Sequence, residues 1–453
     1  MAAALTVRDV EVHFHTRRGV YKALNGVDLT LRSGEVLGIA GESGCGKTTL
    51  GLTVMGLLAR NAAVPNGEVV VDNIELLGLL TSYALEAGEN FDPRKNDRIL
   101  RRTNKALAAL RGVKLSMVFQ EPMTSLNPVL QIGFQVAESI YFHNPALLAS
   151  RALARTRATP ADLREIVQLL RQAPGEEDAI AAYAKEHGLA GMAEQVLFVW
   201  RRGDIHTAKK EKMILSLGGE ELSIIPRKVL ETIERTGDIP LVYRRAPIVS
   251  KVVRRILFKE GYRKAEELLT TLGIPRPERV VRMYPHELSG GMRQRVVIAI
   301  ALANNPGVVI LDEPTSAVDV TVQAQILEMI KKIREEVRSS FVFISHDLSV
   351  LAQVCDRIAI MYAGKIVEIG PTSAVLNAPL HPYTQMLISA VPTLEGKEVA
   401  GIVGEIPDMR AIPTGCAFHP RCPHVMEKCK LKVPPDIRQG ADQVVACYLY
   451  GDA

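Results

Sequence analysis

The stretch that decides the fold is VLGIAGESGCGKT, Val36 to Thr48. Its first five residues form an apolar run of the length expected for a buried strand. Gly41, Glu42, Ser43, Gly44, Cys45, Gly46, Lys47 and Thr48 follow at once, and Thr49 to Leu58 then reads as a helix. Strand, glycine loop and helix in that order is the setting of a phosphate-binding loop. The three glycines let the backbone curl until its N–H groups point inward at phosphate oxygens. The start of the helix adds a partial positive charge at the same place. Lys47 is long enough to reach β- and γ-phosphates, and Thr48 offers a hydroxyl to Mg²⁺. The segment predicts a nucleotide ligand.

A nucleotide loop is incomplete without an acid for its magnesium ion. Downstream, Val308–Leu311 is a second fully apolar run after the turn at Pro306-Gly307, and Asp312 and Glu313 follow it directly. Asp312 is placed to hold Mg²⁺ through water, and Glu313 to polarise an attacking water. A third apolar run, Phe341–Ile344, ends in Ser345-His346, which makes His346 a candidate γ-phosphate sensor. Between the halves lies LSGGMRQR, Leu288 to Arg295. There, Ser289, Gly290 and Gly291 form a second anion cradle at a helix start.

LSGGMRQR resembles the signature of the ABC ATPases, and other segments follow that family's order. The resemblance implies an α/β phosphate-binding-loop cassette with a helical subdomain, ATP with Mg²⁺ as ligands, and hydrolysis as the activity. It implies that Gln120, in VFQEPMTSLNP, contacts Mg²⁺ and relays to membrane subunits. It also implies that Ser316-Ala317-Val318-Asp319 is the D-loop, and that an aromatic, Phe14 or Tyr21, stacks on adenine. Thr49 completes the expected nucleotide set. Each chain's cradle is expected to close on a neighbour's triphosphate, in a head-to-tail dimer with a second ATPase subunit.

Longer segments resemble the dipeptide and oligopeptide permease ATPases: FQEPMTSLNP (Phe119–Pro128), YPHELSGGMRQR (Tyr284–Arg295), EPTSAVDVTVQAQIL (Glu313–Leu327) and HPYTQMLISAVP (His381–Pro392). Members of that group import peptides, oligosaccharides or nickel complexes. They work with two transmembrane permease subunits and an extracytoplasmic solute-binding protein. The chain is thus expected at the cytoplasmic face of the membrane, as a peripheral subunit that takes no nucleic acid.

Composition agrees. The 453 residues are 47% hydrophobic and 23% charged, with a net charge of +5, which is ordinary for a soluble globular chain and too mild to argue for nucleic acid. The apolar run Val296–Ala303 is far shorter than the roughly 20 residues of a membrane span. Arg8 and Asp9 interrupt the start before a secretory leader could form.

Four of the six cysteines, Cys416, Cys422, Cys429 and Cys447, crowd into the last 40 residues. Four thiolates suit tetrahedral zinc or an iron–sulfur cluster. The spacing lacks the short C-x2–4-C knuckles usual for structural zinc. The tail GCAFHPRCPHVMEKC (Gly415–Cys429) resembles that of permease ATPases that carry a 4Fe–4S cluster, so a cluster with a structural role is expected.

Gln120 and Ser289 stand 169 positions apart, far more than a compact cassette needs. The expected organisation is a cassette over 1–143 and 261–370, a helical insertion over 144–260 and a cysteine-ligated region over 371–453. The insertion carries amphipathic pieces at Ala161–Gln172 and Glu177–Glu186. From Arg201 to Lys264 it holds 16 Lys and Arg against 8 Asp and Glu, either a solvated helical surface or an arm for anionic lipid or partner subunits. A ribosome- or DNA-acting ABC ATPase is the rival class, and an exporter ATPase a second. The single cassette and C-terminal cysteines speak against the first, and the permease-type tail against the second.

Overall fold

Five strands lie side by side and parallel in the order Leu115–Val118, Val308–Asp312, Ser340–Ile344, Val36–Ala40 and Arg357–Tyr362. The middle three are buried at every residue, as near-continuous apolar runs dictate when helices cover both faces of a parallel sheet. The computed structural model describes residues 3–87, 91–172, 177–203, 205–220, 222–240, 246–316, 318–336, 339–390, 404–440 and 442–451.

The sheet continues antiparallel through Lys365–Pro371, Gln443–Val445 and Ile437–Gln439. A second, antiparallel sheet pairs Ala3–Thr16 with Gly19–Arg32, Glu68–Val71 and Ala62–Ala63. Alternate residues of its long strands, Leu5, Val7, Leu29 and Leu31, enter one core together with Leu37, Ile39 and Ile310.

The chain divides into two units, Met1–Ser125 with Asn305–Ala453, and Leu126–Asn304. The expected insertion, 144–260, lies wholly within the second unit. The expected cut after residue 260 falls inside one helix, Pro247–Thr271, which packs along Ile132–His143 so closely that a Cβ at Gly261 would lie 2.7 Å from Ala137 Cβ. The helical unit therefore takes in the segments on both sides of 144–260, including the helix Gly290–Leu302. The region after residue 371 does not stand apart either. Its hairpin Ile437–Gln439/Gln443–Val445 covers the edge of the main sheet, and it is grouped with the first unit.

The helices expected over 161–172 and 177–186 are Pro160–Gln172 and Glu177–Glu186. A capping box opens the first. Thr159 Oγ1 accepts from Asp162 N at 3.2 Å, and Asp162 Oδ2 accepts from Thr159 N at 2.8 Å. Leu163, Ile166 and Leu170 face a core shared with Ile180, Met192, Val196 and Ile214. Beside it, Arg151 is wholly buried among Glu194, Glu260 and Glu267. Arg155 pairs with the same Glu260 at 3.2 Å. Among the described residues, no helix is long and apolar enough to cross a membrane.

Candidate nucleotide site

The glycine loop runs from the end of Val36–Ala40 into the helix Lys47–Val54, a start two residues earlier than the sequence reading. Only glycine tolerates two of its turns. Gly41 has φ +152°, and a Cβ there would lie 2.2 Å from Met361 O; Gly46 has φ +109°, and a Cβ there would lie 2.5 Å from Ala23 O. Lys47 is buried, its Nζ donating to Gly41 O at 2.7 Å and Glu42 O at 2.9 Å. Ser43 and Gly44 are exposed, and Thr49 sits in the first turn of the helix. Burial pushes the Cys45 thiol up.

The loop and three other expected residues follow four neighbouring strands at their carboxyl ends, where parallel α/β sheets hold ligands. Thr48 Oγ1 donates to Asp312 Oδ1 at 3.3 Å, which brings the two expected magnesium groups together. Burial pushes the Asp312 carboxyl up, against the Thr48 hydrogen bond. Glu313 receives Gln120 Nε2 at 2.9 Å on one carboxylate oxygen, and His346 Nδ1 lies 3.0 Å from the other. Gln120, Glu313 and His346 come from three adjacent strands, so the sheet order alone gathers them. Glu313 holds φ +46°, a left-handed conformation uncommon for a side-chain-bearing residue. Its N–H is anchored on Ile344 O at 3.0 Å.

The two aromatic candidates separate. Phe14 and Tyr21 are cross-strand partners, but Phe14 packs against the core, while the Tyr21 hydroxyl donates to Gly44 O at 3.4 Å. In the D-loop, Asp319 accepts from Val322 N at 2.9 Å at the head of helix Val320–Glu336; Ala317 lies outside the described residues. In the other unit, Ser289 caps Gly290–Leu302, its Oγ accepting from Met292 N at 3.4 Å, with Gly290 and Gly291 in the first turn.

Cys416, Cys422, Cys429 and Cys447 are free thiols. Among the described residues, no three His, Cys, Asp or Glu side chains are gathered as the shell of one metal ion, so the geometry does not carry a tetrahedral zinc or establish a cysteine-ligated domain. The thiols are nevertheless neighbours. Burial, reinforced by Cys429, Cys447 and Cys422, pushes Cys416 up to about 11, and Cys416 N donates to Cys429 O at 2.8 Å.

Sequence reasoning missed two residues at the loop. Tyr383 Oη accepts from Glu42 N at 3.0 Å, and Arg421 donates to both Glu42 carboxylate oxygens at 2.9 and 3.1 Å. HPYT entered the reading as a mark of resemblance, without a structural task. Arg421 carried no signal beyond lying next to Cys422.

The family model for ABC transporters matches residues 24–316, the span that holds the glycine loop, Asp312-Glu313 and the Ser289 cradle. The chain belongs to the ABC transporter family. Residues 367–429 of this ABC ATPase match the C-terminal region of the oligopeptide/dipeptide transporters. It is 31% identical to the dipeptide transport ATP-binding protein DppD of Bacillus subtilis, over 99% of this chain and 95% of that protein. It is 30% identical to the oligopeptide transport ATP-binding protein OppD of Salmonella typhimurium, over 98% and 93%. The oligopeptide transport ATP-binding protein AppD of Bacillus subtilis is 29% identical, over 99% and 98%. Within its family, the chain stands with these ATP-binding subunits.

Proposed function

We propose that this ATPase drives an importer of di- or oligopeptides or similar solutes, as a peripheral subunit on the cytoplasmic face of the membrane. The observation that carries the hydrolytic reading is the meeting of Gln120 and His346 on Glu313, two strands away from the glycine loop. The relatives' names support the solute class; oligosaccharides and nickel complexes are the alternative cargo of the same machinery.

In this reading the loop from Gly41 to Thr48 cradles the triphosphate, Lys47 meets its terminal phosphates and Tyr21 stacks on adenine. Thr48, Asp312 and Gln120 would hold Mg²⁺, which would offset the charge of the phosphates. Glu313 orients the attacking water and accepts its proton, while His346 fixes the Glu313 carboxylate and senses the γ-phosphate. The Ser289–Gly291 cradle and Asp319 serve the facing ATPase subunit. Two permease subunits and a solute-binding protein complete the assembly, and closure of the ATPase pair on nucleotide moves the permeases.

The test is uptake of labelled peptide by vesicles that hold the purified transporter. Lys47→Ala should abolish both uptake and ATP hydrolysis. Peptide-stimulated hydrolysis that survives this change sinks the reading.

For the tail, the donor set of four neighbouring thiols is that of an iron–sulfur cluster, held by Cys416, Cys422, Cys429 and Cys447 in a structural role. Iron and acid-labile sulfide should each approach four per chain in anaerobically purified protein. Absence of both refutes the cluster.

A further inference from the structure

Glu42 has no polar group left unengaged. Its N–H goes to Tyr383 Oη, its carbonyl accepts from Lys47 Nζ, and its two carboxylate oxygens accept from the Arg421 guanidinium. Two of these three partners lie in the C-terminal region, 341 and 379 positions away along the chain.

Both partners are themselves held firmly. Tyr383 is fully buried in the first turn of the helix Pro382–Ser389, whose cap is the ring of His381 accepting from Tyr383 N at 3.0 Å. The His381 and Leu380 N–H groups both donate to buried Glu368, at 2.9 Å each. The Arg421 side chain is only 5% exposed. Its guanidinium lies 5.7 Å from the Tyr362 ring and 5.9 Å from the Phe418 ring, and it also donates to Tyr362 Oη at 3.3 Å. Tyr362, Tyr383 and Phe418 pack together with ring centres 4.6 to 5.4 Å apart.

A bidentate arginine–carboxylate pair fixes orientation as well as position, and a loop fixed before its ligand arrives loses less conformational freedom on binding. We propose that Arg421 and Tyr383 are positioning residues for the nucleotide loop, through which the C-terminal region sets the loop's affinity for the phosphates of MgATP. The two side chains act through Glu42. The proposal rests on the reading of Gly41–Thr48 as the ATP site. It gives the HPY segment and the residue before Cys422 a task in the ATPase cycle: the tail braces the loop as well as covering a sheet edge.

The test is steady-state hydrolysis by the assembled transporter across a range of MgATP concentrations. Arg421→Ala should raise KM roughly tenfold and leave kcat within about twofold, the pattern of lost binding that ground and transition states share. Arg421→Lys keeps the charge without the two-pronged geometry and should recover only part of the affinity. Tyr383→Phe, which removes one hydroxyl and keeps the packed ring, should raise KM about threefold. This variant keeps the question answerable if Arg421→Ala does not fold. In a Glu42→Ala background, Arg421→Ala should add nothing further to KM. Wild-type KM in both Arg421→Lys and Tyr383→Phe overturns the proposal, as does an additive effect of the Glu42 and Arg421 changes. Failure of the ATP-site reading itself looks different: the unaltered transporter would then hydrolyse ATP no faster than its Lys47→Ala variant.

Discussion

Two of the places where the chain buries charge have opposite arrangements. In the helical unit, Arg151 and Arg155 are enclosed by Glu194, Glu260 and Glu267, so that each charge has an opposite partner within the protein. In the nucleotide unit, buried Asp312 has Thr48 as its hydrogen-bond partner, and Glu313 gathers a glutamine amide and an exposed histidine. Here the polar groups converge on one end of the sheet without cancelling one another. The first arrangement serves stability, because each charge needs its partner to remain buried. The second suits the proposed chemistry, because it leaves carboxylates without a cationic partner at the end of the sheet where a ligand would bind.

Substitutions can break this contrast. Glu313→Gln should reduce ATP turnover by about 10²–10⁴-fold while nucleotide still binds and the unfolding midpoint stays near that of the unaltered chain. A normal rate in the assembled transporter would remove Glu313 from its role. Arg151→Ala should do the reverse. By leaving Glu267 with only Lys264, at 3.9 Å, it should cost about 3–5 kcal/mol in denaturant unfolding, and what remains folded should keep the unaltered KM for MgATP.

A buried histidine sharpens the comparison, since it belongs to the nucleotide unit yet is structural. Burial pushes His381 down to about 3, so the folded chain holds it neutral while the unfolded chain binds a proton below about 6.5. Its contribution is fully present above that pH and declines as pH falls toward 3, by at most about 1.4 kcal/mol per pH unit. His381→Asn retains an acceptor for Tyr383 N and should flatten the pH dependence of urea unfolding between pH 7 and 5. An unchanged slope would show that other groups set it. The smallest effect is expected from Arg8→Ala, which breaks an exposed pair with Glu68 at 2.8 Å and should alter stability by less than about 0.5 kcal/mol.

The two regions were also unequally readable. The nucleotide core announces itself because VLGIA, VVIL and FVFI are strands too apolar to lie anywhere but inside, and each leads directly into polar residues. The helices over 160–172 and 177–186 follow from their periodicity. Arg151 has the local setting of any surface arginine on a helix, so its burial is invisible until the helices pack. The closing hairpin is hidden because Ile437–Gln439 and Gln443–Val445 are too short to show alternation. The brace on Glu42 is hidden by distance, since no local pattern links Tyr383 or Arg421 to the loop. The four clustered cysteines are legible as a donor set, but the spacing of thiols in sequence does not specify their spacing in the fold.

The central strand has a consequence for how the molecule is made. Leu37 is flanked in the sheet by Val342 and Arg357, so VLGIA leaves the ribosome long before either neighbour exists. At about 5–20 residues per second that interval is roughly 15–60 s. The contiguous segment Leu126–Asn304, a compact unit in itself, can fold meanwhile. During biosynthesis the nascent amino-terminal strands need shelter from other chains, and the nucleotide unit, the first to be begun, is the last to close.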